Sequence, residues 1–431
     1  MSNTQTQVKD LKVSKMAENL IGSEIIKLAG EIRELIAKGQ RIYNFTIGDF
    51  DPKVFPIPAE LKEEIIKAYQ QDETNYPPAD GILDLRRVVA RQIKDWQGLE
   101  YGDNEILIAG GARPIIYAIY QALVDPNETV LFPVPSWNNN HYTHLSHAKQ
   151  VFVEAQAENN FLPTAEELKP YLADATLLAL CSPLNPTGTV FSKQQLEEIC
   201  DLVVEENKRR SPDQKPLYLM YDQIYAVLCH GDAKHYDPVS LRPELRPFTI
   251  FVDGISKSLA ATGVRVGWAF GPRKVIDKMK SILGHVGAWA PKAEQVASAK
   301  YLDNTAAVES FLTSFKSEVV QRLDGFYQGI QQLKSEGFPV DAIAPMAAIY
   351  LTVKFDLKGK TTPDGTLIES TPQITQYLLN EAKLAVVPFS AFGASKESVW
   401  YRLSIGTATV ADVHASIESL RAALVKLKVE G

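Results

Sequence analysis

Seven short apolar runs along the middle of the chain constrain its fold more than any other feature. They are Ile106–Ala109, Thr129–Phe132, Lys149–Val153, Leu177–Cys181, Leu217–Tyr221, Phe248–Val252 and Val266–Phe270. Helical segments separate most of them, among them Pro114–Leu123, Thr164–Leu172 and Ser192–Arg209. Strands alternating with helices predict an α/β fold, with a mostly parallel sheet covered by helices on both faces. In such sheets ligands bind beyond the carboxyl ends of the strands. Gly111, Trp137, Asn185, Asp222 and Lys257 all fall there.

The flanking sequence follows different rules. Residues 1 to about 15 are polar and are expected to be poorly ordered. Leu20, Ile21, Ile25, Ile26, Leu28, Ile32 and Leu35 keep a helical rhythm across Glu18–Lys38, closed by Gly39. Arg41–Ile47 reads as a strand ending at Gly48, and the proline-rich passage after it, through Pro58, as a crossing between domains. Ala59–Gln70 and Ile82–Trp96 read as helices. Beyond about residue 300 the pattern becomes α+β. A long helix spans Ala306–Glu336, strands are expected at Ala348–Phe355, Ala385–Pro388 and Trp400–Ser404, and a last helix covers Val410–Val429. The loop 356–366 reads as solvated. Three parts result: an N-terminal arm with part of a small domain (1–55), a large domain (56–303) and a C-terminal small domain (304–431).

Composition excludes several classes of function. With 45% hydrophobic and 23% charged residues the chain is globular, and its net charge of −7 argues against nucleic acid as a partner. Cys181, Cys200 and Cys229 lie far apart, with no metal-ligand spacing, which suits a reduced interior. The N-terminus lacks the apolar core of a signal peptide, and no run is long enough to span a bilayer. A cytoplasmic protein that binds neither metal nor membrane is expected.

Several residues carry chemistry, each beside a plainer reading. Asp253–Trp268 (DGISKSLAATGVRVGW) places Lys257 just past a strand and Arg265 shortly behind it. A lysine amine freed by burial can form a Schiff base, and an arginine fork can hold a phosphate; a turn with an exposed lysine is the alternative. Gly110-Gly111-Ala112-Arg113 joins a strand to a helix N-terminus, which makes an anion site of free N–H groups or merely a tight turn. Asp222 ends an apolar strand and can keep a heterocyclic nitrogen protonated, or can cap a helix. Asn185-Pro-Thr-Gly188 suits a turn, and Trp137 suits a core. Arg402 stands alone in an apolar strand, and a buried guanidinium asks for a carboxylate from protein or ligand.

Taken together, Asn185-Pro-Thr-Gly188, Tyr221-Asp-Gln-Ile-Tyr225, Ser256-Lys257 with Arg265 and Gly267, and Arg402-Leu-Ser resemble the class I/II aminotransferases. These are pyridoxal-phosphate enzymes of fold type I, and the resemblance runs from about Asn44 to the C-terminus. It implies that Lys257 holds pyridoxal 5'-phosphate as a Schiff base and moves the proton. Asp222 would pair with the pyridine nitrogen, Tyr225 and Asn185 with the ring's phenolic oxygen, and Trp137 would stack on the ring. Arg265, Ser256 and the N–H groups of Gly111, Ala112 and Arg113 would hold the phosphate. Arg402 would clamp the substrate carboxylate, helped by the backbone at Gly48, with Trp137 and Asn185 also facing the substrate. Tyr76 would reach a phosphate in a second subunit, which implies a homodimer with shared active sites.

The chain departs from the family pattern at Gly254-Ile255-Ser256-Lys257, where many relatives carry a serine or threonine two residues before the lysine. No arginine for a dicarboxylate side chain stands out in Gly284–Ala290; His285, Arg113 or His141 are the candidates, or no residue has that role. The expected activity is ping-pong amino transfer from an L-amino acid, aspartate first, to a 2-oxo acid such as 2-oxoglutarate. The alternatives are a β-lyase or cyclising synthase on the same cofactor. A regulator that senses amines is remote, because its usual DNA-binding module finds no room in the N-terminal arm.

Overall fold

The structure, a computed structural model, describes residues 12–20 and 24–429. The expectation for residues 1–11, and Ile21 of the first helical stretch, lie outside the described residues.

The N-terminal helix covers Glu24–Ala37, with a separate turn at Lys15–Glu18 capped by Ser14. The helix stops at Gly39, whose φ of +81° suits a residue without a Cβ. The strand expected over Arg41–Ile47 contracts to β1 (Tyr43–Asn44), because the strand it pairs with, in parallel, is the equally short Leu384–Ala385. Ile32 packs on Leu379 and Ala385, so the N-terminal helix is seated on the C-terminal part of the chain.

The seven apolar runs form one sheet. Its strands are β2 (Ile106–Ala109), β3 (Thr129–Val134), β4 (Lys149–Glu154), β5 (Ala175–Cys181), β6 (Tyr218–Asp222), β7 (Thr249–Gly254) and β8 (Gly267–Phe270), in the order β2-β8-β7-β6-β5-β3-β4. Neighbours run parallel except at β8, which is antiparallel to both β2 and β7. Except at the edge strand β4, which is largely exposed, the sheet is buried on both faces, as the apolarity of its other strands requires. One face packs Leu131, Leu178, Tyr221 and Phe251 against the helices Leu83–Gln97 and Lys193–Arg209; the other packs Val130, Leu177, Met220 and Val252 against Ala112–Leu123 and Arg273–Val286. Phe251 and Phe270 stack at 4.4 Å across β7 and β8. Each buried phenyl ring contributes about 2–3 kcal/mol.

The second sheet is antiparallel: β9 (Val340–Ala342), β10 (Tyr350–Phe355), β13 (Val387–Pro388) and β14 (Trp400–Ser404), in the order β13-β14-β10-β9. Between them in the chain come β11 (Lys360–Thr361) and β12 (Leu384–Ala385). The helices Thr305–Ser335 and Val410–Val425 cover this sheet. The last helix ends four residues before the expected Val429, and β15 (Lys428–Val429) pairs with β11, drawing part of the 356–366 loop into a ribbon. Leu357 in that loop is buried, so the loop is not wholly solvated.

Candidate active site

A cavity of about 670 Å³ opens where the carboxyl ends of β2, β3, β5, β6 and β7 face β10, β14 and the Thr46–Asp49 segment. Of the residues singled out in the sequence, Gly48, Ala112, Arg113, Trp137, Asn185, Asp222, Tyr225, Ser256, Lys257, Arg265 and Arg402 line it. Gly111 stands at its edge, beside Arg265. Tyr76 stands apart: it is 80% exposed, edge-on to Trp289 with ring centroids 5.0 Å apart.

Lys257 sits in a single turn of helix (Ile255–Ser258) directly after β7, and its Nζ donates to the Gly48 carbonyl at 2.7 Å. Burial pushes the amine down to about 8; Asp49 pulls it upward, while Arg402, Arg113 and Arg265 add to the depression. An amine so placed is partly neutral near pH 7, as a nucleophile or base requires. Asp222 ends β6 and accepts from the Ile224 N–H at 3.1 Å, an Asx turn; it caps no helix, since the short turn Ala226–Leu228 that follows starts from Tyr225 without a side-chain cap. Burial raises its carboxyl to about 6, against the opposing pull of that N–H group and of Lys257. A buried carboxylate facing a cavity invites a cationic partner there.

The other end of the cavity attracts anions. Gly111 caps the helix Ala112–Leu123 with φ +94°, and a Cβ on it would overlap the Arg265 guanidinium. The first N–H groups of that helix have no partner within it. Arg265 donates to the carbonyls of Thr262 at 2.7 Å and Gly110 at 2.6 Å, which fixes its fork beside the helix end. Arg113 lies over Trp137, 4.6 Å from the ring centroid.

Arg402 is buried in β14. Its Nη1 donates to Asn185 Oδ1 at 3.0 Å and its Nη2 to the Thr46 carbonyl at 2.6 Å, while Nε has no partner. Burial lowers the guanidinium from its ordinary value, and the neighbouring phenols Tyr350 and Tyr225 oppose that; it stays cationic at neutral pH. A buried cation held by neutral groups alone is costly to keep and is built for an anion.

Three groups of residues escaped the sequence reading. Tyr350, on β10, places its hydroxyl 2.5 Å from that of Tyr225. Asp49 accepts from the Thr262 hydroxyl at 2.5 Å and from the Phe50 N–H at 2.8 Å, tying the Gly48 segment to the loop that holds Arg265. Asp253, Gln223 and His235 form a partly buried polar chain, with Gln223 donating to Asp253 at 3.2 Å and His235 3.3 Å from Gln223. The mostly apolar patterning of Ala347–Val353 hid the first group. The other two lie in loops or at strand ends, where polar residues are commonplace.

The sequence matches the model of the family "Aminotransferase class I and II" over residues 40–420. The chain belongs to the class I and II aminotransferases. An aspartate aminotransferase of Bacillus sp. (strain YM-2) is 29% identical over 90% of this chain and 93% of its own length. A probable aspartate/prephenate aminotransferase of Rhizobium leguminosarum bv. phaseoli is 30% identical, over 89% of this chain and 92% of its own. Among solved structures, the aspartate aminotransferase of Rhizobium meliloti superposes with a TM-score of 0.88 at 26% identity, covering 97% of this aminotransferase and all of that chain. The fold is therefore that of fold type I, and the enzyme depends on pyridoxal phosphate.

The cavity of this aminotransferase fits that cofactor on its own chemistry. An amine depressed to about 8 suits an aldehyde, and a buried carboxyl raised to about 6 suits a protonated ring nitrogen. The helix end beside Arg265 suits a phosphate.

Proposed function

We propose that this aminotransferase moves the amino group of L-aspartate to a 2-oxo acid such as 2-oxoglutarate, in two half-reactions at one site. The observation that carries the reading is the convergence of Lys257, Asp222 and Arg402 on one cavity. Pyridoxal phosphate, when bound, supplies an aldehyde carbon and a protonated ring that takes up the electron pair released at the substrate's Cα.

This chain's residues do the rest. Asp222 keeps the ring nitrogen protonated, and the pairing relieves its own buried charge. Arg265, Ser256 and the N–H groups of Gly111, Ala112 and Arg113 hold the phosphate. Trp137 stacks on the ring, and Tyr225 and Asn185 hold its phenolic oxygen. Arg402 takes the α-carboxylate on its two-pronged fork, with the Gly48 backbone and Asn185 alongside. That anchoring sets the Cα–H bond toward Lys257, whose amine carries the proton from Cα to the cofactor's aldehyde carbon and back. Relatives named for aspartate and prephenate support a substrate with two carboxylates.

Of the candidates for the second carboxylate, Arg113 lines the cavity whereas His141 and His285 do not. Among the described residues Arg113 has no carboxylate partner, and its guanidinium already lies over the Trp137 ring. It is assigned the side-chain carboxylate of the substrate. The test is a panel of amino donors with Arg113→Ala. Aspartate should lose about 10- to 100-fold in kcat/KM while alanine and aromatic donors change little, the value of one charge-assisted contact. Equal losses for every donor would remove the assignment.

The reading extends to the assembly. Tyr76 is exposed as a residue that serves a second subunit would be, so a homodimer with shared sites is proposed. The chain is divided at about 55 and 303, with the active site at the junction. Among the described residues no helix is long and apolar enough to cross a membrane, and the three cysteines are unpaired. A cytoplasmic setting is proposed on the cysteines.

A further inference from the structure

Tyr350 enters the cavity from β10, beside the strand that carries Arg402. Its phenol is buried, and its ring meets that of Tyr225 at 70° with centroids 5.6 Å apart. The two hydroxyl oxygens are 2.5 Å apart. The Arg402 guanidinium carbon lies 4.9 Å over the Tyr350 ring. Gly48 leaves room for both: a Cβ there would sit 2.9 Å from Tyr350 Oη and 3.3 Å from Arg402 Nη1. Gly188, at φ +70°, lets the Asn185–Gly188 turn press against the Tyr350 backbone, where a Cβ would overlap the Tyr350 carbonyl. The phenol is thus pinned from both sides, in contact with Tyr225 and against Arg402.

A phenol has one proton to give. If the Tyr225 proton goes to the cofactor, the short contact between the hydroxyls requires Tyr350 to be the donor in that pair. We propose that Tyr350 is a positioning residue whose hydroxyl donates to Tyr225 Oη and so aims the Tyr225 O–H at the phenolic oxygen of pyridoxal phosphate. The proposal rests on the role given to Tyr225 above. Hydrogen bonds in such a chain strengthen one another, and Tyr225 becomes a stronger donor than it would be alone. Nor would the Tyr225 oxygen be satisfied without Tyr350, since burial keeps water from it. Burial raises the Tyr350 phenol above its ordinary range, and the Arg402 cation opposes that rise, which favours Tyr350 as the donor of the pair.

The test uses the holoenzyme and the pH midpoint of its visible absorbance transition. Tyr350→Phe keeps the ring under Arg402 and removes only the hydroxyl. Weaker donation from Tyr225 destabilises the phenolate, so the midpoint should move upward by about half a pH unit or more. In a Tyr225→Phe background the same substitution should cause no further movement, because Tyr350 acts through Tyr225. An unmoved midpoint in Tyr350→Phe, or an equal shift in both backgrounds, would overturn the proposal. Absence of a visible transition in the unsubstituted protein would instead overturn the cofactor reading beneath it.

Discussion

Lys257 Nζ and the carbonyl oxygen of Gly48 are 2.7 Å apart, and Gly48 also lies against the Arg402 fork. The amine proposed to move the proton and the guanidinium proposed to hold the carboxylate therefore share one stretch of backbone. Displacement of that stretch would disturb both together.

The amine's depression has a direct kinetic consequence. In the cofactor-free protein the rate of pyridoxal phosphate uptake, followed by the growth of its visible band, should rise with pH to a midpoint of about 8. An ordinary lysine would give a midpoint of about 10.4. Lys257→Ala should abolish turnover, by at least about 10³-fold, while circular dichroism stays unchanged. Retained transamination would remove Lys257 from its role.

Asp222 should show a trade between stability and activity. Its folded value of about 6 exceeds the ordinary 3.8, so between these the folded state binds more protons than the unfolded one. Stability of the cofactor-free protein accordingly falls as pH rises from about 4 to about 6, and the full penalty persists above that. Asp222→Asn carries no charge to desolvate. At pH 7 the cofactor-free variant should gain up to about 3 kcal/mol, seen as a melting point a few degrees higher, with no gain at pH 3. Transamination should nevertheless be lost, because a neutral amide cannot hold the ring nitrogen protonated. A variant less stable than the parent at pH 7 would show that Asp222 is satisfied without the cofactor.

Arg402→Lys preserves the charge and removes the fork. Losing one charge-assisted hydrogen bond to the α-carboxylate should cost about 10- to 150-fold in kcat/KM for every amino acid and oxo acid. Steady-state kinetics with two unlike donors checks this. Unequal losses would mean that Arg402 reads the side chain instead.

The sequence exposed the site better than it exposed its frame. Lys257, Asp222 and Asn185 were legible because each interrupts or follows an apolar strand at its carboxyl end, and because together, in that order, they resemble one family where each alone has a plainer structural reading. Arg402 stood out for the same reason inside β14. Tyr350 did not, since Ala-Ile-Tyr-Leu-Thr-Val reads as a plain core strand and only the packing of its start against the segment after β6, where the Ala348 N–H donates to the Leu228 carbonyl, brings its hydroxyl to Tyr225. Strand order and the reversal of β8 were also hidden, because apolar runs look alike in either direction. The helix Thr371–Glu381 was missed; its capping box at Ser370 and its proline at the first turn mark a helix start, but they follow a loop rich in the same residues. The helices Arg273–Val286 and Lys292–Asp303 were not anticipated, and the buried face of the second mixes Ala293, Ala297 and Ala299 with Gln295 and Ser298, too weakly apolar to set a rhythm.

The central claim is most directly tested by the visible spectrum of the purified protein as one amino acid, then one oxo acid, is added. Transamination requires a cofactor band that bleaches with aspartate and returns with 2-oxoglutarate. A band that persists while a fragment of the amino acid is released would mean a lyase or synthase. No band, even with pyridoxal phosphate supplied, would contradict the assignment of Lys257 itself.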